Sequence, residues 1–210
     1  MPVGAANLGF RFISGDNEFP NYDFENGLKG WTVYNGRVIF NGAMQLAGYP
    51  TPINPLPNPY GSPGDVGGSA SFSYQLSPDV PPGGGKNSVA LSISGGVNQA
   101  GGSLYGPALF SDDFVNFNAG EICQFQYRAV STGDAYNIMA YLIEKNTGNT
   151  ITLLRVAAPF GQATTWLTSN SVVPISGSYR FVFVNGNWDS TLGLAIGGYM
   201  LIDNITKLNT

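Results

Sequence analysis

The chain has 210 residues, a formal net charge of −4 with nine Lys and Arg, 29 Gly, 14 Pro and 43% hydrophobic residues. That length suits one all-β domain, and the Gly and Pro residues interrupt the chain too often for long helices. The few cations are scattered, which argues against nucleic-acid binding, and no apolar run approaches the length that spans a bilayer.

Residues 1–20 are predicted as an N-terminal arm. Read as an extended strand, NLGFRFIS (7–14) puts Leu8, Phe10 and Phe12 on one face and Ile13 on the other. Such a strand would attach to the edge of a neighbour's sheet; the competing reading is a strand that completes its own sandwich. The first residues, MPVGAANLGFRF, lack the basic and long apolar regions of a signal peptide.

The domain proper is expected over 21–210. Trp31 opens its first strand among apolar neighbours and is expected in the core. Residues 49–68, YPTPINPLPNPYGSPGDVGG, are too rich in proline for a central strand and are expected as a semi-rigid surface loop. The stretch 78–87 leads into SVALSIS, where Val89, Leu91 and Ile93 alternate inward, and a Gly-rich loop follows at 95–102.

Further strands are predicted at 123–130, 138–144, 151–156, 179–184 and 199–208. Cys123, Phe125 and Tyr127 share one strand face, and Gln124, Gln126 and Arg128 the other, so the single cysteine reads as a buried apolar residue. KNTGNT (145–150) has the residues of a tight hairpin. In YRFVFV neither face is strongly polar, which places this strand at a sheet centre. Trp166, at a strand start, is expected in the core. The even spacing of strands and turns predicts an antiparallel jelly-roll β-sandwich.

With no histidine in the chain, Ser-His-Asp and Cys-His catalysis and imidazole metal sites are excluded. Carboxylate pairs for glycoside hydrolysis, Asp112 with Glu121 or Asp134 with Glu144, have no spacing that marks them as more than solvated loop acids, so no enzyme is expected. Trp188 in NGNWDST, with Tyr49, Tyr60 and Tyr105 in Pro- or Gly-rich loops, are the candidate faces for stacking sugars. Asn187, Asp189 and Asn98 would supply hydrogen bonds. The alternative is that these aromatics pack over the sandwich ends or onto a neighbouring subunit.

The ends of the domain, NYDFENGLKGWTV (21–33) and GGYMLIDNITKL (197–208), resemble the first and last strands of jelly-roll carbohydrate-binding modules. The resemblance implies that the strands near Trp31 and Ile202 lie close together. It also implies a structural Ca²⁺ held in part by Glu25 and Asp203. Left to themselves, Glu25 would pair with Lys29 or Lys207 and Asp203 would cap local amides.

The succession GPALFSDDF, AGEICQFQYRA, GDAYNIMAYLIEKNTGNTITLL and GSYRFVFVNGNWDSTLGLAIGGYMLIDNI is similar to a module recurring in virion structural proteins of tailed phages of marine cyanobacteria. It implies a non-enzymatic capsid, neck or tail decoration or a fibre element. Its partners would be other virion proteins, copies of itself and host polysaccharide, with no membrane and no nucleic acid among them. A virion protein folds in the host cytoplasm and leaves by lysis, which suits the missing signal peptide. The alternative is a secreted or cell-surface carbohydrate-binding module.

Overall fold

A computed structural model describes residues 21–41, 43–45, 67–132, 134–158 and 163–209. The arm at 1–20 and nearly all of the Pro-rich loop, including Tyr49 and Tyr60, lie outside the described residues. The described part is all β, an antiparallel sandwich of two main sheets.

The strands are β1 (Trp31–Tyr34), β2 (Ile39–Asn41), β3 (Ala43–Gln45), β4 (Gly68–Ser77), β5 (Ser88–Val97), β6 (Ser103–Ser111), β7 (Val115–Phe117), β8 (Ile122–Ser131), β9 (Ala135–Glu144), β10 (Thr150–Ala158), β11 (Leu167–Val172), β12 (Gly177–Trp188) and β13 (Ala195–Leu208). One sheet runs β1-β6-β12-β9-β10, with β7 beside part of β12; the other runs β11-β8-β13-β5-β4. β2 and β3 form a small hairpin.

Alternation along each strand builds the core. Cys123, Phe125, Tyr127 and Ala129 of β8 point inward while Gln124, Gln126 and Arg128 stay half-buried, as the sequence pattern predicts. Burial pushes the Cys123 thiol far above its ordinary pKa, so it is an inert apolar group. From the opposite sheet, Phe181 and Phe183 of β12 meet Trp31 and Phe125, with Phe125 edge-on to Phe183 at 5.1 Å between centroids. Val89 and Leu91 of β5 and Met200 and Ile202 of β13 complete this cluster.

β12 is the central strand of its sheet and is buried on both faces, in line with its apolar sequence. β9 and β10 pair through the predicted hairpin, and the Glu144 carboxylate accepts from the backbone N–H of Asn146 (2.9 Å) and Thr147 (2.7 Å). The Thr147 hydroxyl and these other donors hold its carboxyl below the usual range.

The strands near Trp31 and Ile202 do lie close together, from opposite sheets, with both residues in one core cluster, while two other expectations are corrected. The chain ends are tied by Ile205 N–H donating to the Tyr22 carbonyl at 3.0 Å. Trp166 lies outside the strands, half-buried, and its indole N–H donates to Asp79 Oδ1 at 2.9 Å. Residues 103–111 form a full strand inside the six-stranded sheet, although their Gly and Pro residues read as loop. Gly106 makes this tolerable: it adopts φ +125°, and a Cβ there would collide with the Gly36 carbonyl as residues 36–38 cross β6.

Candidate functional site

The six-stranded sheet has a second apolar face, turned away from the sandwich core. β12 places Val182 and Val184 there, β9 places Met139, Tyr141 and Ile143, and β6 places Tyr105 and Ala108, with Val38 buried against them. The Val38 N–H donates to the Tyr105 carbonyl at 2.9 Å, which holds residues 36–38 beside this face.

Two hydrogen-bonding side chains stand among these groups. Asn137 precedes Met139 by two residues on β9, and Arg155 of β10 is directly opposite Met139, so all three share the face. Asn137 is 1% exposed and Tyr105 4%, and the Asn137 amide donates to the Tyr105 hydroxyl at 2.8 Å. Among the described residues Asn137 Oδ1 has no partner, and neither do Arg155 Nε and Nη2, all three atoms being buried. Burial pulls the Arg155 guanidinium below its ordinary pKa, against an opposing pull from Tyr105, yet an arginine remains a cation in a protein. Nε and Nη2 are the two donors on one edge of the guanidinium, the pair that grips a carboxylate side-on.

Sequence reasoning brought only Tyr105 to this face, and as a loop residue. Asn137 and Arg155 interrupt apolar stretches of AYNIMAYLIE and TITLLRVAA; that interruption was the available signal.

The other proposed sugar contacts form a closed structural network. Asp189 is fully buried, and its Oδ2 accepts from the N–H of Gly101 (3.1 Å) and Leu194 (3.0 Å). Asn187 is fully buried too, its amide donating to the Gly186 carbonyl at 2.8 Å while Oδ1 has no partner. Trp188 is half-buried and donates its indole N–H to the Gly101 carbonyl at 2.9 Å. Asp134, also buried, accepts from Ser190 and Thr191, so two carboxylates tie the 188–194 turn to the sandwich end. Asn98 donates its backbone N–H to the Gly67 carbonyl at 2.8 Å. Asn187 and Asp189 therefore belong to no exposed platform, because the turn folds them inward, while Asn98 stays exposed.

The acids considered for hydrolysis are likewise engaged locally. Asp112 accepts from the Thr32 hydroxyl, and Glu121 accepts from the Asn118 N–H at 2.7 Å with Lys207 at 3.9 Å. Burial works to raise the Glu121 pKa, but the Asn118 hydrogen bonds and Lys207 outweigh it and hold the carboxyl below its usual value.

Where the first turn of the domain meets β13, Asp203 is fully buried. Its Oδ1 accepts from the Asn204 N–H at 2.8 Å, and Oδ2 has no partner. Burial pushes its pKa up to about 7, with Asp23 and Glu25 adding repulsion. Glu25 Oε1 accepts from the N–H of Lys86 and Asn87, the second at 2.8 Å, and the lack of a side chain at Gly85 leaves room for this carboxylate. Lys207 is taken by Glu121 and the Asn116 carbonyl. Among the described residues no three acids converge closely enough to hold an ion by themselves. The orphaned Asp203 oxygen, with Asp23 and Glu25 near enough to repel it, is the kind of hard oxygen donor that Ca²⁺ takes.

No protein-family model and no curated protein matches this sequence. Solved structures align with most of the chain at low identity. The enzymatically active domain of bacteriophage CBA120 tailspike protein 4 is 15% identical, with a TM-score of 0.43, over 91% of this chain and 21% of the tailspike chain. A promiscuous carbohydrate-binding module of the β-sandwich superfamily is 10% identical, TM-score 0.47, over 92% of this chain and 62% of that one. TmCBM61, solved with β-1,4-galactotriose, is 13% identical, TM-score 0.45, over 92% and 99%. The chain thus spans about a fifth of the tailspike and under two thirds of the promiscuous module. Its structural neighbours are mostly carbohydrate-binding β-sandwich modules, and one is a phage tailspike domain.

Proposed function

We propose that this chain is a non-enzymatic glycan-binding sandwich and that the outer face of its six-stranded sheet takes an acidic sugar. The observation that carries this reading is the buried, unpartnered edge of Arg155 beside the unpartnered Asn137 oxygen and the rings of Tyr105 and Tyr141. A buried donor without a partner costs about 1–3 kcal/mol, so a ligand that supplies a carboxylate or sulfate removes a penalty the free protein carries. The sugar hydroxyl donors would meet Asn137 Oδ1, and the tyrosine rings offer flat apolar surface. Tyr105 and Tyr141 are 4% and 2% exposed, so entry requires groups packed against this face, Val38 among them, to move aside.

A glycan array of neutral, uronate-bearing and sulfated polysaccharides tests this. Retention of an acidic polysaccharide by the wild type, lost in Arg155→Met, is the expected result; silence on every acidic glycan overturns it.

We infer that the setting is a phage particle, where the chain also contacts other virion proteins, because the order of its sequence motifs resembles that of cyanophage virion modules. A secreted or cell-surface module would use the same face. Mass spectrometry of purified virions decides: a fixed ratio of this chain to the major capsid protein marks a component, and its absence there favours the secreted module.

We also propose a structural Ca²⁺ at Asp203 and Glu25, with Asp23 nearby. A bound divalent cation would neutralise the mutual repulsion of these carboxylates and fasten the first turn of the domain to β13.

A further inference from the structure

Strand edges expose unpaired N–H and C=O groups, and proteins usually protect them with short strands, bulges, charges or covering groups. Three of the four outer strands of this sandwich follow that rule. β1 is only four residues long. β10 has a bulge between Thr152 and Leu154 and carries Arg155. β11 is closed against β10, where the hydroxyls of Ser169 and Ser171 donate to the Leu153 carbonyl at 2.9 and 2.8 Å.

β4 has none of these devices. It is ten residues long, GSASFSYQLS, with no charge and no proline, and it pairs with β5 from end to end without a bulge. Among the described strands nothing pairs with its other side. Ser69, Ser71, Ser73 and Gln75 line one exposed face. On the other face Ala70 and Phe72 pack against the cluster of Ile93, Val97, Leu104 and Ile196, but Tyr74 and Leu76 are left 44% and 41% exposed.

We propose that β4 pairs antiparallel with β4 of a second copy of this chain, about a two-fold axis at Ser73. The strand is self-complementary in that register. In an antiparallel pair, residues directly opposite share a face. Phe72 then meets the partner copy's Tyr74, Ala70 meets Leu76, Ser71 meets Gln75 and Ser69 meets Ser77, so apolar faces apolar and polar faces polar on both sides of the axis. An uncharged edge suffers no like-charge repulsion from its own copy. The contact is isologous and closes at two copies, joining both five-stranded sheets into one and covering the exposed Tyr74 and Leu76.

Sedimentation velocity of the full chain over a wide concentration range reads the outcome. The expected wild type is a dimer that dissociates on dilution. Ser73→Lys sets two ammonium groups against each other at the axis and should give a monomer at every concentration, with the melting curve of the diluted, monomeric wild type. Ser73→Cys should form an interchain disulfide on oxidation, because this residue faces itself, whereas Gln75→Cys, which faces Ser71, should not; Cys123 is buried and does not compete. A wild type that stays monomeric overturns the proposal and leaves the edge for a strand of another protein. A dimer that survives Ser73→Lys, or a Gln75→Cys variant that cross-links as readily as Ser73→Cys, overturns the register.

Discussion

The Asn137 amide donates to the Tyr105 hydroxyl at 2.8 Å across an intervening strand: Tyr105 is on β6, Asn137 on β9, and β12 runs between them. Gly186 makes room for this. It sits at the register shift in β12, and a Cβ there would fall 2.5 Å from the Asn137 carbonyl oxygen and 2.6 Å from the Tyr105 ring. No real contact is that short, so both the β9 backbone and the ring would have to move.

Gly186→Ala is therefore expected to cost about 1–3 kcal/mol, the usual penalty of an overpacked site, and to weaken glycan binding along with stability. Thermal unfolding and the array together check it. An alanine variant as stable as the wild type would show that the β9 backbone and the ring both have room to shift.

Arg155→Met separates binding from structure. The substitution keeps most of the apolar stem while removing the unpartnered donors, so stability should hold or rise slightly. A charged hydrogen bond contributes about 1.5–3 kcal/mol, so affinity for an acidic glycan should fall roughly tenfold to a hundredfold. Isothermal titration of both proteins with one acidic oligosaccharide reads the ratio.

Asp203 predicts a specific pH dependence. Its folded pKa of about 7 lies above the ordinary 3.8, so between those values the folded chain binds more protons than the unfolded one. Stability from this group is present at low pH and is lost as pH rises toward neutrality. In chelator, the wild-type melting temperature should fall with pH over that window more steeply than that of Asp203→Asn. Calcium should abolish the difference by binding the carboxylate in the folded state alone, and Glu25→Ala should remove that rescue. Melting curves identical in calcium and in chelator would leave these acids as hydrogen-bonding groups.

Deletion of residues 1–20 tests the arm. An arm that attaches to a partner leaves the isolated domain as stable as before and prevents incorporation into virions. A strand that completes its own sandwich instead lowers the melting temperature of the monomer, and that result would end the attachment reading.

Strands β8, β9, β10, β12 and β13 were legible in the residues alone, as were the faces of β8 and β12. A pleated strand alternates with period two whatever surrounds it, so CQFQYR and YRFVFV already state which side chains go inside. Likewise, the Asn and Gly residues after Glu144 specify a turn through local backbone geometry alone. Which polar residues are exposed depends instead on long-range packing. Asp189 looks like a loop acid until Gly101, 88 residues away, brings its N–H to it. Tyr105 looks like a loop aromatic until β12 and β9 line up beside β6 and Asn137 reaches it across them. Burial of a side chain depends on what the rest of the chain places against it, and no local pattern of residues carries that information.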